Sequence, residues 1–178
     1  QQSYVSFSQN EDLRGLNYFS RLYEAIASHQ VVSLQYHKFT GEAWERLVHP
    51  YQLRQYNNRW FLVGWEPAVA AKIPLVVIPL DRIDDYTVLE KESYEPYEGN
   101  IDACFKDIVG VSLKFNESCS HIVFKAYPPT SSYIETKPIH HSQRIVERHE
   151  DYTIFSLDLI PNYEFETIMM SYADNCEI

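Results

Sequence analysis

Apolar and polar positions along the chain fall into a few clear rhythms. Residues 13–29 place Leu16, Phe19, Tyr23, Ile26 and Ala27 at three- and four-residue steps, which predicts an amphipathic helix. Val32, Leu34 and Tyr36 then alternate with Ser33, Gln35 and His37, a strand with one wet face. Thr40-Gly41-Glu42 reads as a turn, and Trp44 to Leu53 as an extended run interrupted by Pro50. Asn57-Asn58 is a second turn, set between two strand-like runs. The stretch Arg59-Trp60-Phe61-Leu62-Val63-Gly64-Trp65 follows and is apolar on both faces. Trp60 and Leu62 point one way, and Phe61, Val63 and Trp65 the other. Such a strand is buried on both sides. Pro67 to Lys72 is a loop, Leu75 to Ile78 a short buried strand bracketed by Pro74 and Pro79, and Tyr86 to Leu89 a last strand. One helix and a handful of short strands joined by turns predict a small Sm- or SH3-like β-barrel over residues 13–90.

The rhythm then changes. Residues 91–100 are charged and turn-rich, which predicts a linker. Ile101 to Ile108 is a short helical pattern ending before Gly110. Val111, Leu113 and Phe115, then Ile122, Phe124 and Ala126, alternate as strands. Pro128-Pro129 opens a helix through Ile134, and Pro138 ends it. Gln143 to Arg148 and Thr153 to Leu159 read as a hairpin around Glu150-Asp151. Asn162 caps a helix carrying Phe165, Ile168, Met169 and Tyr172 on one face, with Glu164 near its positive end. Asn175-Cys176-Glu177-Ile178 stops where a strand begins. Strand, helix, strand, strand, helix, strand is the ferredoxin-like plan, expected over residues 101–178. The expected class is therefore α+β: an N-terminal helix with a small barrel, then a ferredoxin-like extension. Residues 1–12 read as the tail of a linker, and Gln1 without a Met suggests a piece of something longer.

Composition sharpens this picture. Among 178 residues, 45% are hydrophobic, which allows a packed core, and 15% are aromatic with 14 Tyr, which favours strands. The three cysteines, Cys104, Cys119 and Cys176, are widely spaced without a CxxC, so the expectation is a reducing, cytoplasmic setting with no disulfide framework and no zinc site. No run approaches a membrane-spanning length, and no signal peptide opens the chain. The net charge of −10 disfavours coating duplex DNA. Two weakly basic islands interrupt the acidic body. Residues 36–60 carry Lys38, Arg46, Arg54 and Arg59, and residues 136–149 carry Lys137, Arg144 and Arg148 with three of the seven His. That distribution fits a local anion site rather than a long nucleic-acid track.

Candidate chemistry concentrates on those islands. Arg59 is either a solvated strand-end charge or an anion clamp, since guanidinium matches phosphate bidentately. Arg46 and Arg54 are weighed in the same way. Arg82, beside Asp81, pairs with a neighbouring carboxylate or anchors a ligand. Phe61 and Leu62 read as core, whereas Trp60 could offer an edge on which a base stacks. Tyr36 reads as core with its hydroxyl at the rim, and His49 lies on a facing strand. His140, Gln143 and Arg144 are either ordinary surface or a polar rim that meets a ligand or a partner subunit. His140 and His141, as neighbours on a strand, would point to opposite faces and could not share a metal. No GxSxG, HExxH, GxxxxGK or GxGxxG is present, and only 5 Gly occur, so an enzyme is not expected and no cofactor is implied.

An ordered set of motifs resembles one family. Ala25-Ile26 ends the first helix, Val32-Ser33-Leu34-Gln35-Tyr36 follows, His49-Pro50-Tyr51 precedes Trp60-Phe61-Leu62, and Leu80-Asp81-Arg82-Ile83 comes after it. Residues 16–90 thus resemble a WYL domain, named for a Trp-Tyr-Leu triplet in which Phe61 here replaces Tyr. Residues 101–178 resemble the C-terminal extension that often follows such domains, through Phe105 to Val111, Lys137 to Gln143 and Pro161-Asn162-Tyr163-Glu164. The resemblance implies an Sm-like barrel that senses a ligand, single-stranded nucleic acid or a nucleotide, within a bacterial transcriptional regulator. It also implies a homodimer and an N-terminal helix-turn-helix for duplex DNA that this chain lacks. Two departures bear on the ligand: Phe61 has no hydroxyl, and Val76 and Pro79 stand near positions where many members carry Arg. Fewer arginines favour a smaller or weaker ligand. The expected mechanism is a ligand bridging Arg54, Arg59, Trp60 and Arg82 to His140, Gln143 and Arg144. The competing expectation is a dimerisation module with no ligand.

Overall fold

The computed structural model describes residues 16–37, 41 and 43–178. The chain divides into two compact units, Gln1–Glu98 and Gly99–Ile178. It is built of helices and antiparallel sheets, the expected α+β class. Among the described residues no helix is long and apolar enough to cross a membrane.

In the first unit a short 3-10 turn, Leu16–Tyr18, runs into helix α1 (Phe19–Ala27). The buried positions of α1 are Leu22 and Ala25, with Tyr18, Phe19 and Ile26 packed alongside, while Leu16 and Tyr23 are exposed. The predicted apolar face was therefore rotated. The sequence offers two stripes that share Phe19 and Ile26, and the one through Leu22 and Ala25 meets the sheet. The expected helix start at residues 13–15 and the tail over 1–12 lie outside the described residues.

Five strands follow: β1 (Val31–His37), β2 (Ala43–Tyr56), β3 (Arg59–Trp65), β4 (Val76–Pro79) and β5 (Ile83–Leu89). They form one antiparallel sheet in the order β4-β3-β2-β1-β5. β2 is long enough to pair with β1 along its first half and with β3 along its second. Its register slips between Pro50 and Gln52, where Pro50 has no N–H to give to a ladder. Asn57 and Asn58 both take positive φ, 48° and 58°, and close the β2–β3 hairpin as two-residue turns require. Of the expected Thr40-Gly41-Glu42 turn only Gly41 is described, at φ 83°; the rest lies outside the described residues. No ladder joins the edge strands β4 and β5 among the described residues, so the strand pairing gives a five-stranded sheet and closure into a barrel is not seen in it.

The core of this unit is the face of β3 that carries Leu62, together with Leu22, Leu34, Val48, Ile78 and Leu80. Phe61 and Val63, on the opposite face, are buried too, as the two-faced pattern predicts. Gly64 is required by close approach: a Cβ there would lie 2.6 Å from the His49 carbonyl oxygen and 2.7 Å from Val48 Cγ1.

The second unit contains α2 (Ile101–Cys104), β6 (Ser120–Ala126), α3 (Thr130–Thr136), β7 (Arg144–Arg148), β8 (Thr153–Leu159), α4 (Tyr163–Ser171) and β9 (Cys176–Glu177). Its four strands lie in the order β7-β8-β6-β9, all neighbours antiparallel. Phe124 and Phe155 stack at 5.3 Å inside it. The hairpin around Glu150-Asp151, the helix after Pro129 and the Asn162-capped helix stand where the sequence puts them. Two expectations fail. The helix from Ile101 is only four residues long, and the run Val111 to Phe115 is not a strand. The reason for the second lies in α4. The Val111 and Ser112 N–H groups donate to Glu164 Oε1 at 3.2 and 3.1 Å, and Asn162 Nδ2 donates to the Val109 and Ser112 carbonyls at 2.7 and 3.1 Å. Two side chains at a helix start satisfy this backbone in place of a neighbouring strand.

Candidate functional site

Three of the sequence-selected residues meet at one corner of the first unit. Tyr36 stands near the end of β1, Arg46 on β2 and Arg82 in the 3-10 turn Leu80–Arg82 just before β5. Leu34 pairs with Arg46 and Tyr36 with Ile83, so the ladders bring all three together. The Arg46 guanidinium lies over the Tyr36 ring, 5.1 Å from its centroid, and Arg82 Nη1 donates to the Tyr36 hydroxyl at 3.2 Å. Two cationic groups thus hold one phenol from two sides. Tyr36 itself is buried, as its inward phase in the strand predicts.

A carboxylate from outside the basic island also joins this corner. Arg46 Nε donates to Glu66 Oε2 at 3.1 Å, and Nη2 closes on the same oxygen. Glu66 is buried, and the Arg46 side chain is only 19% exposed. Arg59, at the start of β3, is likewise engaged. It grips Asp81 through Nε and Nη2 at 2.9 and 2.7 Å and also covers the Phe61 ring at 5.7 Å. The basic island of residues 36–60 is therefore partly neutralised by acids that lie beyond it in sequence. Asp81 serves Arg59 at the start of β3.

Trp60 and His49 take structural positions. Trp60 packs against the core with its ring edge-to-face on Phe19 at 4.7 Å, tying α1 to β3, so a stacking edge for a base is not its evident use. His49 is buried, edge-on to Trp65 at 4.7 Å, and its Nδ1 accepts the Glu95 N–H at 2.9 Å. Burial pushes its pKa below the usual imidazole value, against the upward pull of Glu95 and Glu92. Arg54 is half-exposed on β2 opposite Phe61.

In the second unit His140, Gln143 and Arg144 lie close together, but they serve the fold. His140 and His141 lie in a turn that leads into β7 at Arg144, so the expectation that they face apart as neighbours on a strand is overturned. Both rings come within 4.1 Å of each other, and both Nε2 atoms reach the Lys106 carbonyl at 2.8 Å. His140 is buried, and burial is the main cause that lowers its pKa. Its Nδ1 lies 2.7 Å from Ser142 Oγ, whose own contacts reach the Asp158 backbone. Gln143 accepts from the Ile139 N–H at 2.9 Å and donates to the Ile134 carbonyl at 3.0 Å, closing the end of α3. Arg144 Nη1 donates to the His141 and Gln143 carbonyls at 3.1 and 2.8 Å.

Sequence reasoning missed Glu66, Asp81 and the segment at Tyr94–Glu95. Glu66 carried a usable signal: an acid directly after a strand buried on both faces needs a cationic partner. Among the described residues no group of three or more His, Cys, Asp or Glu is placed to hold a metal ion.

Comparisons with known proteins bear on the span that holds this corner. Among solved structures the chain is similar to the proteasome accessory factor B/C (PafBC) of Arthrobacter aurescens, at 13% identity and a TM-score of 0.42, over 96% of this chain and 25% of that one. The chain thus spans about a quarter of that protein's length. No curated protein sequence matches it. A family model described as the WYL domain matches residues 17–88. That span runs from α1 through the five strands and carries Tyr36, Arg46, Arg59, Glu66, Asp81 and Arg82, so the part of the chain that holds this corner is the part that matches the WYL domain.

Proposed function

We propose that the chain is the ligand-sensing regulatory part of a WYL-type transcriptional regulator, and that its first unit takes an anionic effector at the Tyr36–Arg46–Arg82 corner. The effector class is single-stranded nucleic acid or a nucleotide. The observation that carries the reading is the convergence of two guanidinium groups on one phenol, 5.1 Å and 3.2 Å away, inside the matched domain. A phosphate offers the same paired acceptor oxygens as the carboxylates now held by Arg46 and Arg59. An effector would exchange with Glu66 or Asp81 and would not meet bare cations, which suits a modest and salt-sensitive affinity. In this reading the five strands curl as a small Sm-like barrel with β2 shared between its halves. The order β6-α3-β7-β8-α4-β9 supports reading the second unit as a ferredoxin-like extension. The site is confined to the first unit, because His140 and Gln143 spend their polar atoms within the second. The effector shifts a population of states that a DNA-binding domain beyond this sequence reads out, in a homodimer.

The test is fluorescence anisotropy with labelled single-stranded DNA and RNA oligomers and with nucleotides, at two salt concentrations. Arg82→Ala and Arg59→Ala should weaken binding by about tenfold each, as expected for losing one charged hydrogen-bonding group. Undiminished binding in both variants would move the site elsewhere. A second reading, a dimerisation module without ligand, is favoured by the exposed Val146, Tyr163 and Met170 of the second unit. It predicts no binding at any salt and a dimer indifferent to added compounds.

A further inference from the structure

The segment after β5 holds a contact set that the anion site does not use. Residues 91–98 form no helix or strand, yet Glu95 is fastened through both its backbone N–H and its carbonyl, and Tyr94 through its hydroxyl. Glu95 N–H donates to His49 Nδ1 at 2.9 Å, and the Glu95 carbonyl accepts from the Tyr51 hydroxyl at 2.7 Å. The Tyr94 hydroxyl donates to the Pro50 carbonyl at 2.9 Å. Three consecutive residues of β2, His49-Pro50-Tyr51, therefore supply three partners to two consecutive residues of the connecting segment. Rings reinforce the arrangement. Tyr94 stacks on His29 at 5.1 Å and meets Tyr51 edge-on at 6.0 Å, and Tyr97 lies 5.7 Å from Tyr51.

We infer that His49-Pro50-Tyr51 is a proton-sensitive clasp, which holds the connecting segment on the first unit while the His49 ring is neutral and releases it when the ring takes up a proton. The chemistry is a matter of lone pairs. A neutral imidazole carrying its hydrogen on Nε2 offers Nδ1 as an acceptor to Glu95 N–H. The imidazolium has a hydrogen on both nitrogens and would set N–H against N–H. The other two legs do not titrate with it, because burial pushes the Tyr51 hydroxyl up to about 12 and also raises that of Tyr94, leaving both as donors. The groups facing His49 are Glu92, Glu95 and Tyr94 from the connecting segment, Tyr51 from its own strand, His29 behind Tyr94 and the uncharged Trp65 from β3. The two carboxylates pull the ring towards protonation and burial opposes them, so the ring stays neutral at pH 7 and titrates on the acid side of 6.5. Opening lengthens the untethered connection before α2 from about residues 98–100 to about residues 90–100.

The clasp is tested on the whole chain by NMR, following the protection of the Glu95 amide against hydrogen exchange together with the His49 ring resonances from pH 7.5 to 5.0. Protection is taken relative to the intrinsic exchange rate at each pH. The expected result is a fall of at least about tenfold that tracks the ring titration. His49→Asn, which keeps an acceptor oxygen near the Nδ1 position and cannot protonate, should hold protection within about twofold across the range. Tyr51→Phe, which removes one leg and keeps the ring, should lower Glu95 protection several-fold at both ends of the range. An unprotected Glu95 amide at pH 7.5, protection that persists after the ring has titrated, or loss of protection in His49→Asn in step with the wild type would each overturn the inference. So would unchanged protection in Tyr51→Phe.

Discussion

Glu66 shows how one side chain can limit and stabilise a site at once. It is buried against Arg46, and Arg46 in turn lies on Tyr36. Replacing it by Gln removes the charge and keeps the shape, which leaves the half-buried Arg46 guanidinium short of a counter-ion. Two outcomes of opposite sign follow. Stability falls, by about 2–4 kcal/mol on the scale of broken, largely buried ion pairs, as urea unfolding would record. Affinity for a phosphate-bearing oligomer rises several-fold, because the incoming anion no longer competes with a carboxylate. A Glu66→Gln variant that lost affinity would sink the exchange reading. The position of Glu66 signalled a need for a cation, but not which cation it takes. Arg46 and Arg59 could be named from the charge pattern, but their partners stand 20 and 22 residues away, and only the strand ladders fix which acid reaches which base. The histidine pair failed for a related reason: alternation assumes a strand, and a turn obeys no period.

Among the elements, those that the sequence announced clearly are the ones whose hydrogen bonds are local. The Asn57-Asn58 turn and the Asn162 cap are set by residues within a few positions of each other. Asn162 is fully buried, its Oδ1 accepting from Phe165 N–H at 3.1 Å while its Nδ2 holds the Val109 and Ser112 carbonyls. The segment over Val111 to Phe115 was misread because its partners come from α4, 50 residues on. This double use makes a clean test. Asn162→Ala should cost about 2–4 kcal/mol, the cap together with buried carbonyls left unpaired. Asn162→Asp keeps the cap acceptor but turns a carboxylate oxygen towards those carbonyls, so it should recover little of the loss. If Asp restored most of the stability in urea unfolding, the cap alone would account for the residue and the anchoring of residues 109–112 would be incidental. In the first unit, β2 and β3 approach so closely at Gly64 that a methyl has no space. Gly64→Ala should destabilise by about 1–3 kcal/mol, since the nearest atom is backbone and cannot swing away. A neutral result in thermal melts would mean that the register at Pro50 adjusts freely.

At the scale of the whole chain, the structure divides between Glu98 and Gly99, while the change of rhythm in the sequence falls near residue 91. The pairing of the first sheet's edge strands was not legible, because it depends on strand curvature that periodicity does not encode. Each unit holds one buried histidine with a lowered pKa, His49 in the first and His140 in the second, and burial is the leading cause for both. In the unfolded chain these rings protonate near 6.5; in the folded chain they stay neutral to lower pH. The unfolded state therefore binds more protons on the acid side, and stability is full above 6.5 and falls as the pH drops towards the folded-state value. Over one pH unit below 6.5 a single ring contributes at most about 1.4 kcal/mol of loss. The three tryptophans, Trp44, Trp60 and Trp65, all belong to the first unit, so their fluorescence isolates the His49 contribution. Urea unfolding followed by that signal at pH 7.5, 6.5 and 5.5 should show the decline in the wild type. His49→Asn should flatten it, and His140→Asn should leave the fluorescence-detected slope as it was. Equal slopes in the wild type and His49→Asn would remove His49 as the source, and a slope flattened equally by His140→Asn would mean that the two units unfold as one.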